Sequence, residues 1–172
     1  LIESKPSSMP TVIEAATLVR EGELTPIHLT ELCLAAIETH NSTLNAFGDV
    51  YAEAALEQAA GMTAELQRGQ VRGPLHGIPF GIKDLFSTAG LRTTRGSLTA
   101  LESVPVQDAP IIRRLKSAGA IILGKTATTE FGWTGASTSR VFGNGRNPWD
   151  PSLTSGGSSS GSAMAGAVRA GP

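Results

Sequence analysis

The apolar positions of this chain change period near its middle. From Thr11 to Glu21 the residues Val12, Ile13, Ala16, Leu18 and Val19 recur at helical spacing, and Gly22 is a natural stop. Thr25-Pro26 reads as an N-cap with proline at the first helical position. The helix after it carries Leu29, Leu32, Cys33, Ala36 and Ile37 on one stripe and is predicted to end near His40-Asn41. Leu44 to Val50 reads as short and extended, Tyr51 to Arg68 as an Ala-rich helix, and Arg72 to Gly77 as a turn. Then Ile78 to Phe86 forms a strand-like apolar run with Lys83-Asp84 inside it. Asp108 is predicted to cap a helix through Pro110, Ile111, Ile112 and Leu115, ending at Gly119. Ala120 to Gly124 reads as a buried strand bare of charge. Helix followed by apolar strand implies an α/β class, with the early helices as a cap or arm. No internal repeat is visible.

The last stretch breaks the pattern. Gly156 to Ser162 is Gly-Gly-Ser-Ser-Ser-Gly-Ser, a costly segment to order because glycine loses the most backbone entropy. It reads either as a linker or as a loop where main chain closely approaches a reacting group. Its neighbours favour the second reading. Asn147-Pro148-Trp149-Asp150-Pro151 is predicted to be a stiff, packed turn, and Ala163 to Val168 a small-residue helix buried on nearly every face. Amides at the start of such a helix can hold developing negative charge.

Composition narrows the classes. The chain has 172 residues, enough for one domain, with a formal net charge of −1 and 17% charged residues. Such a balance gives no electrostatic case for nucleic acid as a main ligand. Cys33 is the only cysteine, which excludes an internal disulfide; it is expected to be a buried filler in a reducing, cytoplasmic setting. No run suits a membrane span or a signal peptide. The chain starts at Leu1 and stops at Ala170-Gly171-Pro172, and both ends are expected to continue a longer protein.

One formal motif misleads. Gly119 to Thr126 matches the phosphate-loop pattern G-x-x-x-x-G-K-[ST], yet its inner residues are Ala-Ile-Ile-Leu. Extended at about 3.3 Å per residue they would hold the glycines apart instead of curling around an anion.

Candidate chemistry centres on Lys83. Set between Phe80-Gly81-Ile82 and Leu85-Phe86, it either snorkels and pairs with a carboxylate, or is desolvated toward its neutral form and becomes a base. Asp84 is a poor partner for it, because adjacent strand residues face opposite ways. His28, His40 and His76 offer little, and His76 reads as a turn residue. No Gly-x-Ser-x-Gly elbow and no metal-ligand spacing occurs. Serines 158, 159, 160 and 162 need a base to act, and Lys83 could supply it if the fold joins strand and loop.

The ordered blocks Gly77-Ile78-Pro79 with Gly81-Ile82-Lys83-Asp84, Thr93 to Ser97, Ala118 to Thr126, Thr129-Glu130-Phe131, Gly145 to Trp149 and Gly156 to Ala163 resemble the amidase signature family. The likeness runs from about the second helix to Pro172. It implies a three-layer α/β/α fold around a mixed sheet with an N-terminal helical arm. Residues 1–172 would form the N-terminal part of one domain, with 1–70 mainly helical arm and 71–172 the α/β core.

The resemblance also implies a Ser-cisSer-Lys triad acting on amides through an acyl-enzyme. Lys83 matches its lysine and Ser158 its bridging serine, which follows a cis peptide; Gly156, Gly157 and Ser159 line the loop. The family's nucleophile sits in a T-D-x-G-G-S block after the Ala-Gly-Pro position, and no such block occurs here. Ser160 stands where many members have glycine. The implied partner is a small-molecule amide, with no cofactor, no metal, no direct nucleic-acid contact and no membrane; a homodimer is left open. Three functions compete: an amidase for carboxylic amides, an amidotransferase subunit releasing ammonia from glutamine for mischarged tRNA, and a catalytically incomplete fragment.

Overall fold

The computed structural model describes residues 9–172. In chain order the main elements are α1 (Val12–Glu21), α2 (Pro26–Leu44), β1 (Phe47–Val50), α3 (Ala52–Gln67), β2 (Ile78–Lys83), α4 (Pro110–Ser117) and β3 (Ala120–Thr126). Four short strands follow, β4 (Thr138–Ser139), β5 (Gly143–Asn144), β6 (Arg146–Asn147) and β7 (Asp150–Thr154), and then α5 (Ser160–Ala167).

The helix boundaries have local causes. Thr11 and Glu14 close a capping box on α1, and Gly22 ends it in the left-handed conformation. Thr25 Oγ1 accepts from the His28 amide, with Pro26 in the first turn of α2. This helix runs past the predicted His40-Asn41 to Leu44. Asn41 stays helical because its side chain is engaged outward: Nδ2 donates to the Phe47 carbonyl and Oδ1 accepts from the Phe47 amide. The chain thus turns straight from α2 into β1. Asp108 departs from its expected role. The N-cap of α4 is Ala109, while the Asp108 carboxylate accepts from the Ala89 amide at 2.7 Å and from Lys116 Nζ at 2.8 and 2.9 Å.

The central sheet has the order β1-β3-β2, with β1 antiparallel and β2 parallel to β3. All seven residues of β3 are buried. Alternation sends its side chains to two cores. Ile121 and Leu123 join Cys33 and Ile37 of α2 and Ala55, Ala59 and Met62 of α3. Ile122 joins Ile82 and Ile112, the latter on α4. Helices therefore cover both faces of a mixed sheet, the three-layer arrangement expected. Residues 9–70, mainly helical, also supply β1, which pairs with β3. Cys33 is fully buried, and burial pushes its thiol up to about 12.

The C-terminal stretch departs from expectation in two ways. Trp149 is 81% exposed, so its turn is not packed; its stiffness comes from Asn147 Oδ1 and Asp150 Oδ1, which accept from the Trp149 and Ser152 amides at 3.0 Å. Helix α5 buries one face only, through Ser160, Gly161, Met164 and Ala165, while Ala163 and Gly166 are exposed. Gly161 is the point of closest approach. Its amide donates to the Ala127 carbonyl at 2.9 Å, and a Cβ there would collide with the Ala127 nitrogen and the Ala46 oxygen.

Gly161→Ala is expected to lower the unfolding free energy of the full-length protein by about 1–3 kcal/mol, the usual cost of overpacking. Chemical denaturation measures it; an unchanged midpoint would show that the α5 start can move away from β3.

Candidate active site

Lys83 ends β2, and Ser158 lies in the loop that leads into α5. Parallel pairing of β2 with β3 puts Lys83 beside Thr126, and the chain leaving β3 passes Ala127, where α5 is anchored. Strand end and serine loop therefore meet. Lys83 Nζ stands 2.8 Å from Ser158 Oγ and 2.9 Å from Ser159 Oγ. The peptide between Gly157 and Ser158 is cis. Gly157 has no room for a side chain, since a Cβ would meet Thr129 Cγ2 at 2.9 Å and the Thr134 carbonyl at 3.0 Å. Gly156 takes φ of 77°, which glycine adopts without strain. The Ser158 carbonyl accepts from Thr128 Oγ1 at 3.0 Å. Ser160 turns inward to donate to the Ala127 carbonyl at 3.3 Å, and Ser162 Oγ pairs with Thr126 Oγ1 at 2.8 Å. These contacts hold the loop from both ends.

The electrostatics favour a basic amine. Both side-chain hydrogen-bond partners of Lys83 are neutral hydroxyls, and it has no carboxylate partner within salt-bridge distance among the described residues. Burial alone lowers its pKa below the usual lysine value. A neutral amine can accept the Ser158 hydroxyl proton at this separation, and an ammonium can donate back along the same line.

Asp84 indeed does not serve Lys83. It faces the other way, where Oδ1 lies 3.8 Å from Lys125 Nζ and Oδ2 accepts from the Thr94 amide and hydroxyl at 3.0 and 2.5 Å. Lys125 is fully buried, a feature that sequence reasoning missed because it met this lysine only as a letter in the false phosphate loop and in a family-like block. The signal was present: a lysine directly after an apolar, two-sided strand has nowhere exposed to go. Burial lowers Lys125 to about 8 and raises Asp84. Gly119 to Thr126 is a turn and a strand, without the anion-cradling curl.

Both ring nitrogens of His76 are engaged by backbone groups. Its Nδ1 accepts from the Arg72 amide at 3.2 Å, which leaves Nε2 to donate to the Met62 carbonyl at 3.0 Å. Among the described residues no three His, Cys, Asp or Glu side chains are grouped to hold a metal ion, and no helix is long and apolar enough to cross a membrane.

The sequence model of the Amidase family matches residues 28–172. The chain belongs to the amidase signature family. It is 40% identical over 155 residues to the glutamyl-tRNA(Gln) amidotransferase A-type subunit of Streptomyces coelicolor, covering 90% of this chain and 31% of that protein. With the mitochondrial counterpart of that name from Ornithorhynchus anatinus it shares 41% over 139 residues, 81% of this chain and 26% of that one. Among solved structures, an amidase superposes with a TM-score of 0.88 at 40% identity, over 94% of this chain and 37% of that one. The peptide amidase of Stenotrophomonas maltophilia gives 0.89 at 36%, over 96% and 35%. The chain thus spans about a third of the length of the relatives it matches. Their amidase-signature fold is the one described above.

His76→Ala removes a buried side chain and its bonds to the Arg72 amide and the Met62 carbonyl, and is expected to cost about 1–3 kcal/mol of stability. Turnover per folded molecule of the full-length protein should not change. A loss of turnover in fully folded variant would make His76 part of the chemistry after all.

Proposed function

We propose that Lys83 and Ser158 are the base and the proton relay of a centre that hydrolyses carboxylic amides through an acyl-enzyme. The 2.8 Å contact between Lys83 Nζ and Ser158 Oγ carries this reading. Neutral Lys83 takes the Ser158 proton as Ser158 takes one from the attacking serine. That serine then adds to the amide carbonyl. The relay runs backward to protonate the leaving amine, and water releases the acid by the same route. Ser159 holds Lys83 from a second side, and Gly156 and Gly157 let the loop lie close. The attacking serine is assigned to none of Ser159, Ser160 and Ser162. It belongs to a T-D-x-G-G-S block that these 172 residues do not contain, so alone they are proposed to be catalytically incomplete. The substrate is a small-molecule amide.

A second reading is favoured by the relatives that are glutamyl-tRNA(Gln) amidotransferase subunits: release of ammonia from glutamine inside a multi-subunit assembly. Glutaminase activity that appears only with partner subunits supports it; hydrolysis of simple amides by the protein alone supports the first.

In the full-length protein, Lys83→Ala should abolish amide turnover at neutral pH, and near-normal activity in that variant would sink the assignment. The wild-type rate should rise with pH, because only the neutral amine is a base. It should level off at a pH below the ordinary lysine value of 10.5, since burial lowers the Lys83 pKa. A pH–kcat/KM profile that falls across that window contradicts it.

A further inference from the structure

Among the described residues, the largest fully buried side chain is a lysine that takes no part in the proposed proton transfer. Lys125 Nζ donates to the Phe86 carbonyl at 2.7 Å and to Thr88 and Thr93 Oγ1 at 3.1 Å each. Both threonine hydroxyls pass their own hydrogens on, Thr88 to the Phe86 carbonyl and Thr93 to the Leu91 carbonyl. Their lone pairs are therefore free for Lys125, which uses all three of its donors as an ammonium. Asp84, 1% exposed, is the facing charge. Removing two charges from water is costly, and apolar residues of similar volume often serve stability as well. The arrangement calls for a reason beyond stability.

Its bonds lead to both ends of the Lys83–Ser158 contact. On one side, Phe86, held by Lys125, donates its amide to the Lys83 carbonyl at 3.0 Å, and the Asp84 amide donates to the Thr126 carbonyl at 3.0 Å. The backbone directly after Lys83 is thus tied down. On the other side, the Asp84 carbonyl accepts from the Arg95 amide at 3.0 Å, and the Arg95 carbonyl accepts from the Phe131 amide at 2.8 Å. The next residue, Gly132, borders the relay: a Cβ there would stand 3.6 Å from Ser158 Oγ.

We propose that the buried Lys125–Asp84 pair, with Thr88, Thr93 and Thr94, is a positioning device that holds Lys83 against Ser158. This rests on the reading of Lys83 as the base. Lys125 and Asp84 touch neither substrate nor the transferred proton. They set where the end of β2 and the Phe131-Gly132 turn stand. The charged groups around Lys125 are Asp84, Asp49, Arg95 and Asp108, whereas the basicity of Lys83 is lowered by burial alone. Loosening the device exposes the half-buried Lys83 further and moves its titration upward.

The test uses the full-length protein with Lys125→Met and Asp84→Asn combined, so that no buried charge is left unpaired. Active sites are counted with a fluorophosphonate, so misfolded molecules do not enter the rate. The expected result is a fall in kcat of about 100-fold, the scale of a small misplacement of a catalytic group. KM should stay within about threefold, since the loss lies in the chemical step. The rise of activity with pH should move to higher pH. A merely structural role lowers the count of sites and leaves kcat per site and the pH profile unchanged, which overturns the proposal. Should the double variant not fold, Thr93→Val, which keeps the shape and deletes one acceptor, is read the same way: a lower kcat with the upward pH shift supports the device, and parental values overturn it. Lys83→Ala runs in parallel. If it is active, the base assignment fails and the device has nothing to position. If it is inactive while the pair's removal changes nothing, only the positioning role fails.

Discussion

Burial of β3 on both faces is the constraint from which the site follows. A strand with no exposed residue must find cover above and below, and it does so with α2 and α3 on one side and α4 on the other. Its two edges are taken by β1 and β2. Because β2 runs parallel to it, Lys83 and Thr126 reach the same end of the sheet together. There the Ala127 carbonyl receives the amide of Gly161 and the hydroxyl of Ser160, which seats the start of α5 at that end. Lys83 and Ser158, 75 residues apart in the chain, meet for this reason. Their contact depends on the sheet, and the sheet depends on a run of apolar side chains that carries no chemistry.

The two lysines at this end show how environment gives one residue type two different settings. Burial lowers the pKa of both. Lys83 faces two hydroxyls, which serve an amine about as well as an ammonium. Lys125 faces a carbonyl, two hydroxyls that have given up their own hydrogens, and a carboxylate. Such a shell rewards the cation and has no donor left for an amine's lone pair. The shell of Lys125 is built for a fixed cation, while that of Lys83 suits the proton transfer proposed for it. The two lysines lie on opposite faces of adjacent strands, since Lys83 is in register with Thr126 and Lys125 with Ile82.

Much of this was legible in the residues. The helical stripes, the stop at Gly22, the cap at Thr25 and the buried strand from Ala120 rest on local periodicity and capping, which need no knowledge of the fold. From the residues themselves the Lys83–serine pairing was legible only as a condition on the fold, because nothing local ties residue 83 to residue 158; the family resemblance singled out Ser158. What was misread depended on tertiary partners. Asp108 looks like a cap by its place before Pro110, but Ala89 and Lys116 compete for its carboxylate and win. Trp149 looks like a packing residue by type, yet the turn is held by side-chain oxygens on backbone amides.

Lys125 was hidden for a different reason. Periodicity marks the strand as apolar through Gly124, and a formal motif then captures the lysine that follows. The deciding physical question is what a buried ammonium could bind. The answer lies in the Phe86 carbonyl, in Asp84 and in the threonines at 88 and 93, with Thr94 holding Asp84, all in a segment that offers no amphipathic pattern. Buried polar groups require partners, so a lysine predicted to be inside also predicts acceptors elsewhere in the chain. The block from Thr93 to Gly96 is then the far wall of a cation site, and its backbone bonds to Asp84 and Phe131 carry that site's geometry to the serine loop.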